Sequence, residues 1–158
     1  MNPIPTISRR ALAVAACLTL LGHGAMAQDN GTRDEAKAMV DAAVDHARKV
    51  GPEQAFKDFS DKSNKAWQKK DLYVMAYSLE GVCMGHGAND KLIGKNLNEL
   101  KDPNGKPLIK ELSAAAVKGG GWVEYEWAHP QSKKIESKIT YSRKLANFEG
   151  WVGVGVYR

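Results

Sequence analysis

The side chains in this sequence that could do chemistry are a thiol, several imidazoles and a lysine among aromatic residues. Cys83 and His86 lie three positions apart in a predicted strand, so we expect their side chains on opposite faces. Together they could act as nucleophile and base or as half of a zinc site, but no second Cys or His pair lies nearby. We therefore expect Cys83 to be a small buried residue, and we predict neither an enzyme nor a cofactor or metal site. An enzyme that uses Cys83 or His86 remains an alternative hypothesis.

A strand with alternating side chains is the second candidate for a functional surface. Glu124 and Glu126 alternate with Tyr125 and Trp127, which places the two aromatic residues on one face. Such residues form the core of a sheet or line a small pocket. Lys138 lies in the middle of the next predicted strand. It is either an ordinary surface lysine or the partner of a carboxylate.

The elements that must position these residues follow from hydrophobic spacing. Thr32 and Glu35 have the spacing of a capping box, and apolar residues then recur at three- and four-residue steps as far as Gly51, which predicts a long amphipathic helix. Pro52 can open a second, shorter helix. Further elements are predicted as strands over residues 72–78, 82–86, 122–128, 135–146 and 151–157, a helix over 108–117, and a loop over 89–107 with one helical turn at 97–100.

This order of elements predicts the fold class. Two helices, a hairpin, a helix and a three-stranded meander are typical of an α+β domain. We expect an antiparallel sheet of about five strands with the long N-terminal helix packed on one face.

Residues 1–27 have the layout of a secretory signal peptide. A basic pair precedes an apolar stretch over residues 11–21, and a small-x-small cleavage site ends at Ala27. We expect cleavage after Ala27, which would leave residues 28–158 as one periplasmic domain. The basic pair leaves both the general and the twin-arginine export routes open, and lipoprotein processing at Cys17 is an alternative.

Composition narrows the classes of partner. The 158 residues carry a formal net charge of +5, a mild bias toward anionic partners. No broad basic stripe with exposed aromatic residues indicates a nucleic-acid surface. No apolar run reaches the roughly 20 residues that cross a bilayer, so we expect no membrane-spanning segment in the mature chain.

Several segments, taken in order, resemble the single Cache domain, type 2. The matching positions run from about residue 33 to the end of the chain. They are Trp67, residues 70–74, residues 80–81 leading to His86, residues 93–97, 100–102, 105–106 and 121–127, Pro130, residues 133–138, and Tyr141. The resemblance implies an extracytoplasmic, PAS-like domain that binds small molecules for chemoreceptors and sensor kinases. Some members of the family bind short carboxylates.

The resemblance also implies a pocket between the sheet and its covering loops. In that pocket Lys138 would neutralise the carboxylate of a small organic anion. Tyr125 and His86 would donate hydrogen bonds, and Trp127 would wall the apolar end. Three aromatic residues whose face is left open are further candidates for ligand binding: Tyr77, Trp122 and Tyr141.

Partner and role follow from the same resemblance. We expect a stand-alone periplasmic binding protein that presents its liganded form to a membrane sensor kinase, chemoreceptor or transporter. The alternative is a ligand-free protein–protein interaction module of the cell envelope, its pocket filled by its own side chains.

Overall fold

The computed structural model describes residues 30–158, so the predicted signal peptide, its cleavage site and Cys17 lie outside the described residues. The helices are α1 (Arg33–Val50), α2 (Pro52–Ser60) and α3 (Leu108–Val117), with a 3₁₀ turn at Asp90–Leu92. The strands are β1 (Gln68–Lys69), β2 (Leu72–Ser78), β3 (Cys83–His86), β4 (Gly121–Ala128), β5 (Ile135–Lys144) and β6 (Gly150–Tyr157). Within the described part of the chain, the helices are too short or too polar to cross a membrane.

Helix α1 begins at the capping box that the sequence predicts. The Thr32 hydroxyl accepts the backbone N–H of Glu35 at 3.2 Å, and the Glu35 carboxylate accepts the N–H of Thr32 at 2.9 Å. The buried face of the helix is made of small residues: Ala36, Val40, Ala43 and Ala47. Small side chains let the helix lie close against β5 and β6, which it contacts.

The sheet is antiparallel and confirms the predicted fold class. Its order is β1-β2-β6-β5-β4, with β3 paired to β2. Five of the six strands are those predicted, and β1 adds a two-residue pairing. Helices α1 and α2 cover one face of the sheet, while α3 and the loop that precedes it cover the other. The helical turn expected at 97–100 is a single hydrogen-bonded turn from Leu100 N–H to Leu97 O, 2.9 Å long.

A bulge in the β2–β3 hairpin changes the side on which one predicted residue lies. His86 pairs with Met75 and Cys83 pairs with Tyr77, so three steps along β3 match two along β2. Cys83 packs with Met75 and Tyr77, and the His86 ring packs on Tyr73 on the same side of β2. The expectation that Cys83 and His86 lie on opposite faces is therefore wrong, because the extra residue of a bulge resets the alternation.

Gly155 on β6 leaves room for a side chain of β5 to lie across β6 and reach β2. A Cβ atom at this position would overlap Lys138 Cε and the Thr140 hydroxyl oxygen. Lys138 belongs to β5, and its Nζ reaches the hydroxyl of Tyr73 on β2, two strands away. Glycine is needed here for close approach, not for an unusual backbone angle.

We therefore expect Gly155→Ala to displace the Lys138 side chain and to lower the free energy of unfolding by about 1–3 kcal/mol, the usual cost of overpacking a core. Chemical denaturation measures this loss. Gly121→Ala is the matched control, because this strand glycine has as its nearest neighbour the Ala115 side chain at 3.3 Å. Equal stability of the two variants would contradict the crossing.

Candidate functional site

Lys138 lies at the centre of the candidate site and has no exposed surface. Its Nζ donates to the hydroxyl oxygen of Tyr73 at 2.6 Å and to that of Tyr157 at 3.2 Å. The same nitrogen lies 4.2 Å and 4.5 Å from the ring centroids of these tyrosines. In residues 30–158 no carboxylate forms an ion pair with Lys138. Neutral oxygens and aromatic faces are thus its closest partners.

Burial shifts the pKa values of Lys138 and of the three residues around it, Tyr73, Tyr157 and His86, which together we call the lysine cluster. It lowers the pKa of Lys138 to about 7, against an opposing effect of the charge on Asp71. Burial, helped by the charge of Lys138, lowers the pKa of His86 to about 3. Burial also raises the pKa of Tyr73 and of Tyr157. Near neutral pH the imidazole and both phenols are therefore uncharged, and Lys138 is balanced between its two forms.

The backbone around His86 determines which ring nitrogen carries the proton. His86 Nδ1 accepts the N–H of Ala88 at 3.2 Å and that of Asn89 at 3.0 Å. An accepting Nδ1 has no proton, so the neutral ring carries its proton on Nε2. His86 is thus a fixed hydrogen-bond donor through Nε2.

The protons of the cluster do not all have acceptors. The Tyr157 hydroxyl donates to the carbonyl of Ala128 at 3.1 Å. The Tyr73 oxygen accepts from Lys138, and the described acceptor for its own proton is the Tyr157 oxygen at 3.5 Å, too long for a good bond. The third N–H of Lys138 and the Nε2–H of His86 have no acceptor among the described residues. Three donors of neighbouring side chains therefore lack a well-placed acceptor among the described residues.

A cleft of about 450 Å³ opens beside this cluster. Tyr73, His86 and Trp127 form its polar and aromatic walls, and Leu92 adds an apolar one. Its rim carries three lysines, Lys62, Lys91 and Lys133, and one acid, Asp90. Asp90 lies 3.4 Å from Lys62, so the rim keeps a surplus of positive charge that favours anions.

The structure brings together four of the residues that the sequence suggests. His86 and Lys138 belong to the cluster, and Trp127 lines the cleft. Tyr125 lies opposite Lys138 in the β4–β5 register, but its hydroxyl is 2.9 Å from that of Thr140. Tyr125 thus packs beside Lys138, and its hydroxyl already forms a hydrogen bond with Thr140.

The other three suggested residues lie elsewhere. Tyr77 shares the face of the cluster but stacks on Trp151, with ring centroids 5.0 Å apart, inside the core. The rings of Trp122 and Tyr141, with centroids 5.2 Å apart, lie on the opposite face of the sheet. There they pack against the core that includes the buried residues of α1. The structure therefore does not place Trp122 and Tyr141 beside Lys138.

Cys83 is not poised for nucleophilic chemistry. It is fully buried, and burial raises the pKa of its thiol. A raised pKa keeps the sulfur protonated and unreactive at neutral pH. This agrees with the expectation of a small buried residue. In the described part of the chain there is also no group of three or more His, Cys, Asp or Glu that could hold a metal ion.

Three residues of the site escape the sequence reasoning: Tyr73, Tyr157 and His129. Tyr73 and Tyr157 belong to strands that are buried along their whole length, so no alternation marks the functional face. His129 is buried against the Tyr157 ring at 4.5 Å, and its Nδ1 accepts the N–H of Gln131 at 3.2 Å. The alternating Gly-Val-Gly-Val run of β6 is the one signal in the sequence for a side chain crossing that strand.

Comparison with known proteins identifies the class. Residues 18–158 match the family described as Single Cache domain 2, and the chain belongs to this family. This confirms the resemblance drawn from the sequence. A methyl-accepting chemotaxis protein from Vibrio parahaemolyticus superposes with a TM-score of 0.69 at 27% identity, over 78% of this chain and 86% of that one. A structure described as carboxylic acid recognition by a Cache chemosensory domain gives 0.66 at 24% identity, over 78% and 91%, and shows the shared fold.

Two curated relatives are sensory proteins. The sensor histidine kinase MctS of Rhizobium johnstonii is 35% identical over 88 residues, which are 56% of this chain and 19% of the kinase. The methyl-accepting chemotaxis protein McpP of Pseudomonas putida is 32% identical over 89 residues, 55% of this chain and 16% of that protein. The match therefore spans less than a fifth of either relative.

The lowered pKa of Lys138 predicts how stability depends on pH. Unfolded lysine titrates near 10.4, so between pH 7 and that value the unfolded chain binds a proton that the folded chain has lost. Stability then rises with pH, and Lys138 contributes about 2 kcal/mol between pH 7 and pH 9. Denaturation of the ligand-free protein and of Lys138→Met at both pH values measures this contribution as the difference in slope. Parallel slopes would refute the shifted pKa.

Proposed function

We propose that this Cache domain is an extracytoplasmic sensor module that binds a small organic acid by its carboxylate at Lys138. The observation that carries the proposal is a buried lysine that has no carboxylate partner within residues 30–158 and lies beside Tyr73 and His86, whose protons have no well-placed acceptor there. A site that offers donors and positive charge, with no facing acceptor, is complementary to an anion. A carboxylate has two oxygens and about four lone pairs, enough to accept all three protons.

The three donors suggest which hydrogen bonds each carboxylate oxygen of the ligand would accept. One oxygen would accept from Lys138 and the Tyr73 hydroxyl, which are 2.6 Å apart. The other oxygen would accept from His86 Nε2, since the His86 ring packs on Tyr73 at 5.1 Å. Trp127 and Leu92 on the cleft wall would cover a short apolar tail.

The size of the acid is limited by what lies behind the cluster. Tyr125 is buried beside Lys138, and Tyr77 and Trp151 stack farther along the same face. These rings pack in the core together with α3 residues. We therefore place the ligand in the cleft and take acids of two to four carbons as the class to test.

The comparisons support the proposal at the level of the family. One neighbour in fold is described by its recognition of carboxylic acids and another as a periplasmic sensor domain. The curated relatives are a sensor kinase and a chemotaxis protein. We extend these roles to this chain by proposing a periplasmic domain whose liganded state acts through a membrane receptor or transporter.

Titration calorimetry of acetate and propionate binding at pH 6 tests the site. We expect Lys138→Met to weaken binding by at least about thirtyfold, because a buried, hydrogen-bonded charge pair is worth 2 kcal/mol or more. Lys91→Met is the matched control, since it removes a lysine from the cleft rim and leaves the cluster intact. It should change the affinity by less than about threefold, as exposed charges do.

Failure of every acid from C2 to C4 to bind the wild-type protein would contradict the proposal. Equal losses in Lys138→Met and Lys91→Met would also contradict it, because binding would then follow the general positive charge of the rim. Native mass spectrometry of the purified protein offers an independent check: a retained small acid supports the site, and a ligand-free spectrum with a co-purified protein supports the interaction module.

Proton uptake gives the proposal a pH signature. The groups that face Lys138 are Tyr73, Tyr157, Tyr125, His86 and the charge of Asp71. Burial keeps the pKa values of the tyrosines high and that of His86 near 3, so Lys138 is the group of the cluster that titrates near neutrality.

Because the carboxylate binds the ammonium form, we expect the dissociation constant to be flat from pH 5.5 to 6.5. Above pH 7 it should rise about tenfold per pH unit, since each binding event must return a proton to Lys138. Calorimetry across this range measures the slope. An affinity that stays constant up to pH 9 would show that Lys138 remains charged without the ligand.

A further inference from the structure

Asp71 joins the candidate site to the start of helix α1. Only 4% of the residue is exposed. Its Oδ1 accepts the backbone N–H of Gly31 at 2.5 Å, and its Oδ2 is buried without a hydrogen-bond partner. Gly31 directly precedes Thr32, the N-cap of α1. One carboxylate oxygen therefore holds the segment that leads into the helix, while the other is uncompensated.

The start of α1 is held against the sheet by contacts with β1 and β2. A Cβ atom at Gly31 would overlap the side chain of Leu72, so the segment lies directly on β2. Glu35 of the capping box is also 3.4 Å from Lys69 and 3.3 Å from Lys70. The turn between β1 and β2 thus holds the first turn of the helix through backbone and side chains.

The charge of Asp71 also acts on the lysine cluster. It favours the ammonium form of Lys138 and opposes ionisation of Tyr73 and Tyr157. Asp71 lies in the turn that precedes β2, two residues before Tyr73. Asp71 lines one cleft and His86 lines the adjoining one, and Tyr73, which accepts from Lys138, belongs to both. An anion bound at Lys138 would therefore lie within the field of Asp71.

We propose that Asp71 couples occupancy of the Lys138 site to the attachment of the segment ahead of α1. This inference rests on the proposed carboxylate function. In the ligand-free protein Asp71 supplies negative charge to the lysine cluster and accepts the Gly31 N–H. Below pH 7, where Lys138 already carries its proton, a ligand carboxylate adds a second negative charge in a region of low dielectric, where like charges repel.

Loosening of the Gly31 attachment follows from that repulsion. Asp71 Oδ2 accepts no hydrogen bond from the described residues that would offset the added charge. The ligand therefore weakens the hydrogen bond from the Gly31 N–H to Asp71 Oδ1. Coupling between two sites is reciprocal. The state in which Gly31 is released is therefore also the state that holds the acid more tightly.

Amide hydrogen exchange by NMR at pH 6, with and without saturating propionate, tests the coupling. We expect exchange of the Gly31 and Thr32 amides to accelerate at least about fivefold on binding, the lower end of ordinary coupling between sites. Amides of α3 serve as the internal reference. In Asp71→Asn, which keeps an acceptor oxygen and removes the charge, propionate should not change the exchange rates.

Asp90→Asn is the matched control. It also removes one negative charge from the cleft, but Asp90 forms no hydrogen bond with residues 30–32, the described residues ahead of α1. The ligand-induced acceleration should survive in this variant. In Asp71→Ala, which loses the acceptor as well, exchange at Gly31 should be fast with or without propionate.

Two results would overturn the coupling. One is propionate binding with unchanged or slower exchange at Gly31 in the wild-type protein. The other is an equal acceleration in Asp71→Asn. Failure of propionate and the other acids to bind would instead refute the proposed function, so the two failures are distinguishable.

Discussion

The constraint on which the site depends is a lysine buried against the sheet that forms no ion pair with a carboxylate in the described part of the chain. An isolated buried charge is costly, and proteins offset that cost by hydrogen bonds, by aromatic faces or by a shifted pKa. Lys138 shows all three, through Tyr73, Tyr157 and its lowered pKa. Gly155 provides the space in which this arrangement fits. The remaining cost is what an incoming anion would relieve.

The sequence predicts the fold well because its elements have local signals. The capping box and the apolar stripe of α1, the glycine-bounded strands and the meander all follow from spacing within a few residues. The bulge does not, because pairing of Tyr77 with Cys83 and Met75 with His86 depends on the partner strand. For the same reason, strand parity alone could not place Trp122 and Tyr141 under α1.

The candidate site was predictable where residue type was unusual for its place. A lysine in mid-strand and a histidine at the end of a hairpin stand out, and the family resemblance gives them a role. Tyr73 and Tyr157 do not stand out, since buried strands are apolar on both faces and tyrosine is common there. Only the fold brings their hydroxyls to one nitrogen. His129 is likewise defined by its contact with Tyr157.

The central claim is that Lys138 is a buried lysine whose ammonium form is stabilised by a bound anion. Titration of its side-chain nitrogen by ¹⁵N NMR tests this most directly, with Lys138→Met to assign the signal. The predicted result is a midpoint near pH 7 in the ligand-free protein and a midpoint raised by at least about one pH unit with saturating acetate. A midpoint near that of free lysine in both states, or one that acetate leaves unchanged, would contradict the claim.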